Sequence, residues 1–156
     1  MRVFNFRDNV VLLNEAIEIT GWDEGDDVIT IERAADAASH KIGAGGEMCM
    51  SISSDRSGSA TFKLLQTSSA NKKLLELLHL QEAGSQTFVP ISMRIKDVRR
   101  QDQAAATVGY IVKMPSYKRG AKDNDQEWKL NFERVEFDLG DPLGAGSPSA
   151  IAEALG

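Results

Sequence analysis

The amino-acid sequence predicts a mainly β protein, an antiparallel β-sandwich or open barrel of about eight strands with one flanking α-helix. Short segments that alternate apolar and polar residues dominate the chain, which is typical of strands with one buried face. Clusters of Gly, Asp, Ser and Pro separate these segments and indicate turns. One stretch, residues 68–84, instead repeats leucine at helical spacing.

Length and composition favour one domain. The 156 residues suit a single core, and we expect a β-sandwich domain over residues 1–139 with a flexible, Gly- and Pro-rich C-terminal tail over residues 140–156. The net charge of −5 argues against a protein that grips nucleic acid from outside, because such proteins usually show a basic face. Cys49 is the single cysteine, and no apolar run approaches the ~18 residues of a membrane span, so we expect neither an internal disulfide nor membrane anchoring.

Strands are predicted in the first part of the chain. Val10–Leu13 and Ala16–Ile19 are apolar runs on either side of Asn14-Glu15, a spacing that suits a tight hairpin. Asp27–Arg33 alternates and is β-branched. A solvated turn is favoured over a cation site for the acidic residues before it, because they lack the calcium-loop pattern; they are Asp23, Glu24, Asp26 and Asp27.

Residues 34–46 show no strand pattern and end in glycines, so a long loop is predicted here. Loops of this length in compact domains are usually functional, an interface arm or disordered. We expect an interface loop, with candidate contact residues Asp36, His40, Lys41, Ile42 and Gly43.

A second hairpin is predicted from Glu47–Ser53 and Ser59–Gln66, joined by a turn at residues 54–58. Alternation places Met48, Met50 and Ile52 on the face expected to meet the core. The opposite face carries small polar and acidic side chains, namely Glu47, Ser51, Ser53, Ser59 and Thr61.

The one predicted helix begins at the capping candidates Ser68 and Ser69 and ends at Gly84, which suits the C′ position. Its apolar stripe indicates that it lies on a sheet. Further strands are predicted at Val89–Lys96 and Ala104–Lys113.

The last predicted strand, Glu127–Leu139, follows a polar loop at residues 114–126 and changes phase along its length. Its first apolar residues lie on even positions and its last on odd positions. Either a β-bulge near Glu133-Arg134 or a strand that passes from one sheet to another explains the change.

The sequence offers little for catalysis. His40 and His79 lie in no nucleophile motif, and Gly43–Gly46 lacks the Lys-Ser/Thr of a phosphate-binding loop. We therefore expect no enzyme, no catalytic residues, no metal and no cofactor. Arg94, Lys96, Arg99 and Arg100 form a basic cluster, for which a salt-bridged contact between subunits is favoured over a solvated, aggregation-guarding edge.

Several segments together resemble the tail tube proteins of contractile-tailed bacteriophages, over residues 9–137. They are Asn9-Val10-Val11, Ile19-Thr20-Gly21-Trp22 with Gly25-Asp26-Asp27, Ile31-Glu32-Arg33, Ile42-Gly43-Ala44-Gly45-Gly46-Glu47, Ser54-Asp55-Arg56-Ser57-Gly58, Leu64-Leu65-Gln66-Thr67-Ser68-Ser69-Ala70-Asn71, Pro115 and Glu127-Trp128. Their order and spacing, more than any one segment, carry the likeness.

The resemblance implies a β-sandwich with a flanking helix that forms stacked hexameric rings, the inner tube of a tail. It implies tail sheath, baseplate or initiator, and tail terminator proteins as partners, with genome DNA passing through the lumen without specific binding. The protein would then be a virion component, made and assembled in the host bacterial cytoplasm. The interface loop would lock each ring to the next, and the polar face of the second hairpin would line the lumen.

The residues themselves agree with a conduit, since an acidic wall repels phosphates and lets DNA slide. Lys63 departs from an acidic lining and leaves open which face points inward. Two alternatives remain: a tube subunit of a type VI secretion system or tailocin, and a monomeric carbohydrate- or peptide-binding β-sandwich. The binding module would need exposed aromatics, for which Trp22, Tyr110, Tyr117 and Trp128 are the candidates.

Overall fold

The computed structural model describes residues 6, 9–25, 27–86, 88–98, 101–122 and 124–139. One helix, α1 (Ala70–Glu82), interrupts a series of strands. The strands are β1 (Asn9–Leu13), β2 (Ile17–Glu18), β3 (Ile29–Arg33), β4 (Ala38–Ile42), β5 (Met48–Ile52), β6 (Gly58–Leu65), β7 (Ile91–Asp97), β8 (Gln103–Lys113) and β9 (Asp125–Asp138).

Seven strands form one antiparallel sheet in the order β2-β1-β7-β8-β9-β6-β3, and β4 pairs with β5 in a separate hairpin. The predicted fold class, mainly β and antiparallel with one flanking helix, is confirmed. The large sheet is open, with β2 and β3 at its edges. The predicted tail at residues 140–156 lies outside the described residues.

The core lies on one face of the large sheet, under α1. Strand β6 alternates strictly, so Ala60, Phe62 and Leu64 are buried while the side chains between them are not. Leu74 and Leu78 of α1 belong to the same core cluster. Each fully buried side chain of this size contributes roughly 1.5–3 kcal/mol relative to an exposed one, so the helix is held to the sheet mainly by its apolar stripe.

Hydrogen bonds fix both ends of α1. At its start, the Ser68 hydroxyl donates to the Thr20 carbonyl and accepts from the Ala70 amide at 3.2 Å. The side chain of Asn71 donates to the Leu65 carbonyl and accepts from the Trp128 indole, both at 2.9 Å, so the indole N–H is satisfied. At its end, the amide of the C-cap Ala83 donates to the His79 carbonyl. Gly84 follows at the C′ position, as predicted, and has a φ of 132°.

Near the end of α1, Gln81 completes the pairing of β8. Its amide donates to the Ile111 carbonyl and accepts from the Ile111 amide, both at 2.9 Å. The pairing of β8 with β7 ends at Gly109 and Ile91. The glutamine therefore takes the place of the next strand partner, and the buried backbone of β8 is not left without hydrogen bonds.

Of the two explanations for the phase change in the last strand, the structure shows the β-bulge, but Phe137 and Leu139 beyond it are exposed. Phe132 pairs with Gly58 of β6, but the next bond on this side runs from the Val135 amide to the Arg56 carbonyl at 2.8 Å. Three residues of β9 thus span two residues of the neighbouring chain, and Phe132 and Val135 both face the core. Strand β8 makes the matching change at Val108, whose φ is 55°, so its pairing with β9 keeps a constant register there.

The sheet has two distinct ends. The β1–β2 turn at Asn14-Glu15, where both residues have positive φ as in the predicted tight hairpin, lies at the same end as residues 114–122. We call this the loop end. The β4–β5 hairpin is inserted in the chain between the end of β3 and the start of β6, at the pair Arg33 and Gly58. This pair lies at the opposite end of the sheet, which we call the arm end.

Three sequence predictions are wrong. The predicted loop at residues 34–46 contains β4, because His40 pairs with Met50 and Ile42 with Met48. Consequently β5 pairs with β4 and not with β6, so the predicted hairpin of Glu47–Ser53 with Ser59–Gln66 does not form. The side chains of Met48, Met50 and Ile52, predicted for the core, are all exposed.

Gly109 packs against the aromatic ring of buried Phe132, and a Cβ added there would lie 2.3 Å from two ring carbons. Gly109→Ala is expected to lower the free energy of unfolding by about 1–3 kcal/mol, the usual cost of overpacking a core. Urea unfolding of the unassembled protein measures the change. Gly120→Ala is the matched control, because nothing lies within 4 Å of its added Cβ; equal midpoints for the two variants would contradict this packing.

Candidate assembly surface

The β4–β5 hairpin projects from the sheet as an arm, which we define as residues 38–52. Each of its strands has five residues, a length of about 17 Å. The turn is closed by the Gly43 amide, which donates to the Glu47 carbonyl at 2.8 Å, and Gly46 has a φ of 85°. Every residue of both strands is exposed, so the arm receives no cover from the rest of the described chain.

One face of the arm is apolar. Residues paired across an antiparallel ladder share a face, and the pairs Ala38–Ile52 and Ile42–Met48 flank His40–Met50. Met48, Met50 and Ile52 are 66%, 62% and 72% exposed. A contiguous exposed patch of this kind marks an interaction surface, and a lone two-stranded hairpin is marginally stable in water.

The other face of the arm is polar. It carries Ser39 opposite Ser51 and Lys41 opposite Cys49, and the cysteine is exposed and unoxidised. The structure therefore places the predicted interface residues His40, Lys41 and Ile42 in a strand, with Gly43 in the turn and Asp36 just before β4. They share one element, but His40 and Ile42 lie on the apolar face and Lys41 on the polar one.

The base of the arm is fastened to the bulge of β9. Arg33 donates from Nη2 to the Val135 carbonyl at 3.1 Å, and Arg56 donates from Nη1 to the Ser53 carbonyl at 2.7 Å. The Ser53 amide donates to the Ala37 carbonyl at 2.9 Å, which joins the two chain segments of the arm at its root. The arm thus leaves the sheet from a hydrogen-bonded base.

Asp55 organises the turn between the arm and β6. Its carboxylate accepts from the Ser57 hydroxyl at 2.6 Å and from the Ser57 amide at 2.9 Å. These two bonds, the hydroxyl first, hold the pKa of Asp55 below its usual value of 3.8. The stability that this carboxylate contributes is therefore present above pH 3.8 and is lost as the pH falls through its lower folded-state pKa.

The large sheet leaves a second, polar surface on the face opposite the core. Ser59 and Thr61 of β6 lie there, beside Asn131 and Lys129 of β9, their register partners. The five residues predicted to line a lumen therefore divide between two places. Ser59 and Thr61 lie on this face, whereas Glu47 and Ser51 belong to the arm and Ser53 to its base.

The predicted basic cluster is described only in part. Arg94 and Lys96 lie on the non-core face of β7, and Arg94 forms an ion pair with Glu15 at 3.7 Å. Arg99 and Arg100 lie outside the described residues. Toward the end of β9, at the same end of the sheet, Arg134 forms an ion pair with Glu136 at 2.6 Å. The surface around Arg94 and Lys96 therefore carries charges of both signs.

The matched family is that of the bacteriophage PhiTE tail tube protein, whose model covers residues 16–140. The chain belongs to this family. The matched range includes the arm, the helix and all strands from β2 to β9, and the resemblance seen in the sequence is confirmed. The chain is accordingly a structural component of the tail tube class. No curated protein sequence matches it.

Three solved structures from contractile injection systems share the tail tube fold. The sheath/tube terminator of an extracellular contractile injection system, PVC, in its extended state has a TM-score of 0.60 and 11% identity, covering 89% of this chain and 99% of the other. The anti-feeding prophage cap, a tube-terminating cap, has a TM-score of 0.55 and 11% identity, with 90% and 93% covered. The PVC sheath–tube complex in its extended state has a TM-score of 0.59 and 10% identity, with 88% and 92% covered. At these identities the likeness concerns the fold.

The described part of the chain shows few features of other kinds of site. Within the described ranges, no three His, Cys, Asp or Glu side chains are grouped so that they could hold a metal ion. In the same part of the chain, no helix has the length and apolar character needed to cross a bilayer. The surfaces that stand out are the arm, the polar sheet face and a row of exposed apolar residues on β8, Val108, Tyr110 and Val112, which sequence reasoning missed.

The turn below the arm can be tested through its carboxylate. Ser57→Ala removes the hydroxyl donor and is expected to raise the pKa of Asp55 toward 3.8, because the remaining backbone bond stabilises the carboxylate less. An NMR titration of the Asp55 carboxyl measures this, with Ser54→Ala as the control. An unchanged pKa in Ser57→Ala would show that the hydroxyl does not bind the carboxylate in solution.

Proposed function

We propose that this protein assembles with itself into hexameric rings that stack to form the inner tube of a contractile tail. The tube conducts the phage genome into the host cell, and its subunit acts by shape and performs no catalysis. The observation that carries the proposal is the arm, an ordered element with one face that is apolar apart from His40 and with no partner within the described chain.

The apolar face of the arm supplies the driving force for stacking. Burying Met48, Met50 and Ile52 in a neighbouring copy contributes about 1.5–3 kcal/mol for each side chain. Association has its own entropic cost, so one arm alone gives a weak contact. A ring repeats the contact in every subunit, and the repetition makes the stack strong.

The direction of the arm favours an open, head-to-tail assembly. The arm projects from the arm end of the sheet, whereas the β1–β2 turn and residues 114–122 lie at the loop end. A contact between two different surfaces of the same molecule does not close on itself in pairs; it continues from copy to copy. Stacked along an axis, such contacts generate a tube of indefinite length.

The polar sheet face is the surface that best suits the lumen. Ser59, Thr61 and Asn131 are neutral, and the charged residues in this ladder are Lys63, which lies opposite Glu127, and Lys129, which lies opposite Thr61. Small neutral side chains with few and mixed charges make no dense basic track, so phosphates pass without being held. We retain Ser59 and Thr61 as lumen-lining candidates, with Glu47, Ser51 and Ser53 as candidates where the arm reaches the channel.

The surroundings of the tube follow from this role. Tail sheath, baseplate or initiator, and terminator proteins are the partners, and the sheath–tube and terminator structures that share the fold support the first and last of these. Subunits are made and assembled in the host cytoplasm and end in the virion. Arg94, Lys96, Arg99 and Arg100 serve contacts between subunits, and the mixed charges around Arg94 support this.

A second candidate is the tube of an extracellular injection particle that carries no genome. Two of the solved structures named above come from an extracellular contractile injection system, and their shared fold favours this reading. Isolated particles distinguish the two, because a phage tail joins a DNA-filled head whereas an injection particle has none.

Met50→Asp tests the proposal. We expect it to raise the protein concentration needed for tube formation at least tenfold, since it places a charge within the buried apolar contact. Sedimentation and negative-stain microscopy measure assembly, and circular dichroism confirms the fold. The side chain is 62% exposed in the single chain, so folding is expected to be unchanged.

Ser51→Asp is the matched control, because it adds the same charge to the adjacent residue on the polar face of the arm. It is expected to assemble close to the wild type. Tubes that form equally well from both variants would show that the arm does not bury its apolar face. Wild-type protein that stays monomeric under all conditions, including with its initiator, would overturn the proposed function.

A further inference from the structure

The loop that follows β8 concentrates positive charge in an acidic protein. Residues 113–122 contain four cations, Lys113, Lys118, Arg119 and Lys122, and no carboxylate, whereas the whole chain has a net charge of −5. All four are exposed, and none forms an ion pair with a described carboxylate. We call residues 113–122 the basic loop.

The basic loop is ordered by contacts of its own. Tyr117 is 81% exposed, and the Arg119 guanidinium stacks on its ring at 4.1 Å from the centroid. Arg119 donates to the Lys118 carbonyl at 2.8 Å, and Asn124 donates from its side chain to the same carbonyl at 3.4 Å. A stacked guanidinium keeps its remaining N–H donors pointing outward, an arrangement suited to binding carboxylates.

The same molecule displays the complementary charge in the turn before β3. Asp23, Glu24 and Asp27 lie there within five residues of chain and form no ion pair with a described cation. The Asp23 amide donates to the Lys63 carbonyl at 3.0 Å, which fixes the turn beside the end of β6. We call residues 23–27 the acidic turn.

The two charged segments lie at the same end of the sheet but on different strands. The basic loop follows β8, and the acidic turn leads into β3, the edge strand, with β9 and β6 between them. Three strand spacings of about 4.8 Å separate β8 from β3, roughly 14 Å in all. Within one copy the acidic turn thus stands at the edge of the molecule, where a neighbour in a ring would meet it.

We infer that the basic loop of one copy binds the acidic turn of the adjacent copy in the same ring, an inference that rests on the proposed ring assembly. Rotation about the tube axis keeps the loop end of every copy at one level. Because β8 is the fourth of seven strands, the basic loop must extend from the middle of the sheet to reach the acidic turn at the edge of its neighbour. Because the contact joins two different surfaces, it passes around the ring from copy to copy and closes by symmetry.

The contact sets orientation more than it sets strength. Exposed ion pairs are individually weak, and salt screens them beyond about 8 Å at physiological ionic strength. Complementary patches nevertheless speed encounter and reject wrong orientations. The contact therefore directs β3 of one copy toward its neighbour and disfavours arrangements in which like charges meet.

Charge reversal tests this pairing. The loop variant Lys113→Glu, Lys118→Glu and Lys122→Glu gives the basic loop a net charge of −2, and the turn variant Asp23→Lys, Glu24→Lys and Asp27→Lys gives the acidic turn a net charge of +2. Each variant alone is expected to need at least tenfold more protein to form rings or tubes at low salt, because like charges then meet across the contact. Lys72→Glu with Lys73→Glu, exposed on α1, is the control, because it also adds negative charge but away from the contact.

Two rescues separate this partner from any other. An equimolar mixture of the loop and turn variants is expected to assemble, since each acidic loop then meets a basic turn in an alternating ring. The single chain that carries all six substitutions is expected to assemble as well. Sedimentation and negative-stain microscopy read both.

Each remaining outcome counts against the pairing. If the loop variant fails alone, in the mixture and in the combined chain, the basic loop binds a different acidic partner. If both variants assemble like the control, the two segments do not meet. Wild-type protein that forms no rings in the same assay would contradict the proposed function itself, and the pairing with it, whereas wild-type tubes with failed rescue would contradict the pairing alone.

Discussion

The pairing of β9 with strands on both sides is the interaction on which the rest of the molecule depends. Near the start of β9, Trp128 is buried and its indole N–H donates a hydrogen bond to the Asn71 side chain. This bond fixes the position of the beginning of α1. Toward the end of β9, the bulge releases the amide and carbonyl of Val135 from regular pairing with β6. Arg56 and Arg33 take up these two groups, and both belong to the base of the arm. One strand therefore positions the cover of the core and the root of the projecting hairpin.

The strand order also divides the molecule into surfaces with separate uses. The face toward α1 is closed by aliphatic and aromatic packing, and the opposite face of β6 and β9 is polar. The arm extends from one end of the sheet, and the basic loop and acidic turn occupy the other. Axial and lateral contacts can thus be made by different residues, so that ring formation and stacking do not compete for the same surface.

The sequence predicted the local features well because each has a local cause. Alternation identified most strands, leucine spacing and Gly84 identified the helix, and the phase change between Phe132 and Val135 identified the bulge. Strand pairing was predicted less well. Alternation in Glu47–Ser53 states which side chains share a face, but the same pattern fits a core strand and an exposed arm. The strand at Ala38–Ile42 was missed because its more apolar face consists of Ala38, His40 and Ile42. This combination is too weakly apolar to give a recognisable alternation of apolar and polar residues.

The candidate site was anticipated in kind more than in place. The stretch around His40 to Gly43 was expected to reach a neighbour, and the structure makes it one strand of an exposed arm. The lumen candidates were grouped on a hairpin that does not form, so only Ser59 and Thr61 share the polar sheet face. The basic loop was not predicted as an interaction surface. Spacing in the sequence shows that its four cations are close along the chain, but not that they lie at the same end of the sheet as the acidic turn.

The arm has a consequence for how such a molecule assembles. An isolated two-stranded hairpin gains little from its own hydrogen bonds in water and depends on a covering surface for stability. In a single copy, the arm is anchored at its root by Arg56 and Ser53 but is exposed along both strands. Docking on a neighbour removes its apolar face from water and restricts its motion in the same step, so the entropic cost falls mainly on the first contacts. In the proposed tube, growth on an existing ring, which offers all its acceptor surfaces at once, is then favoured over the pairing of two free copies.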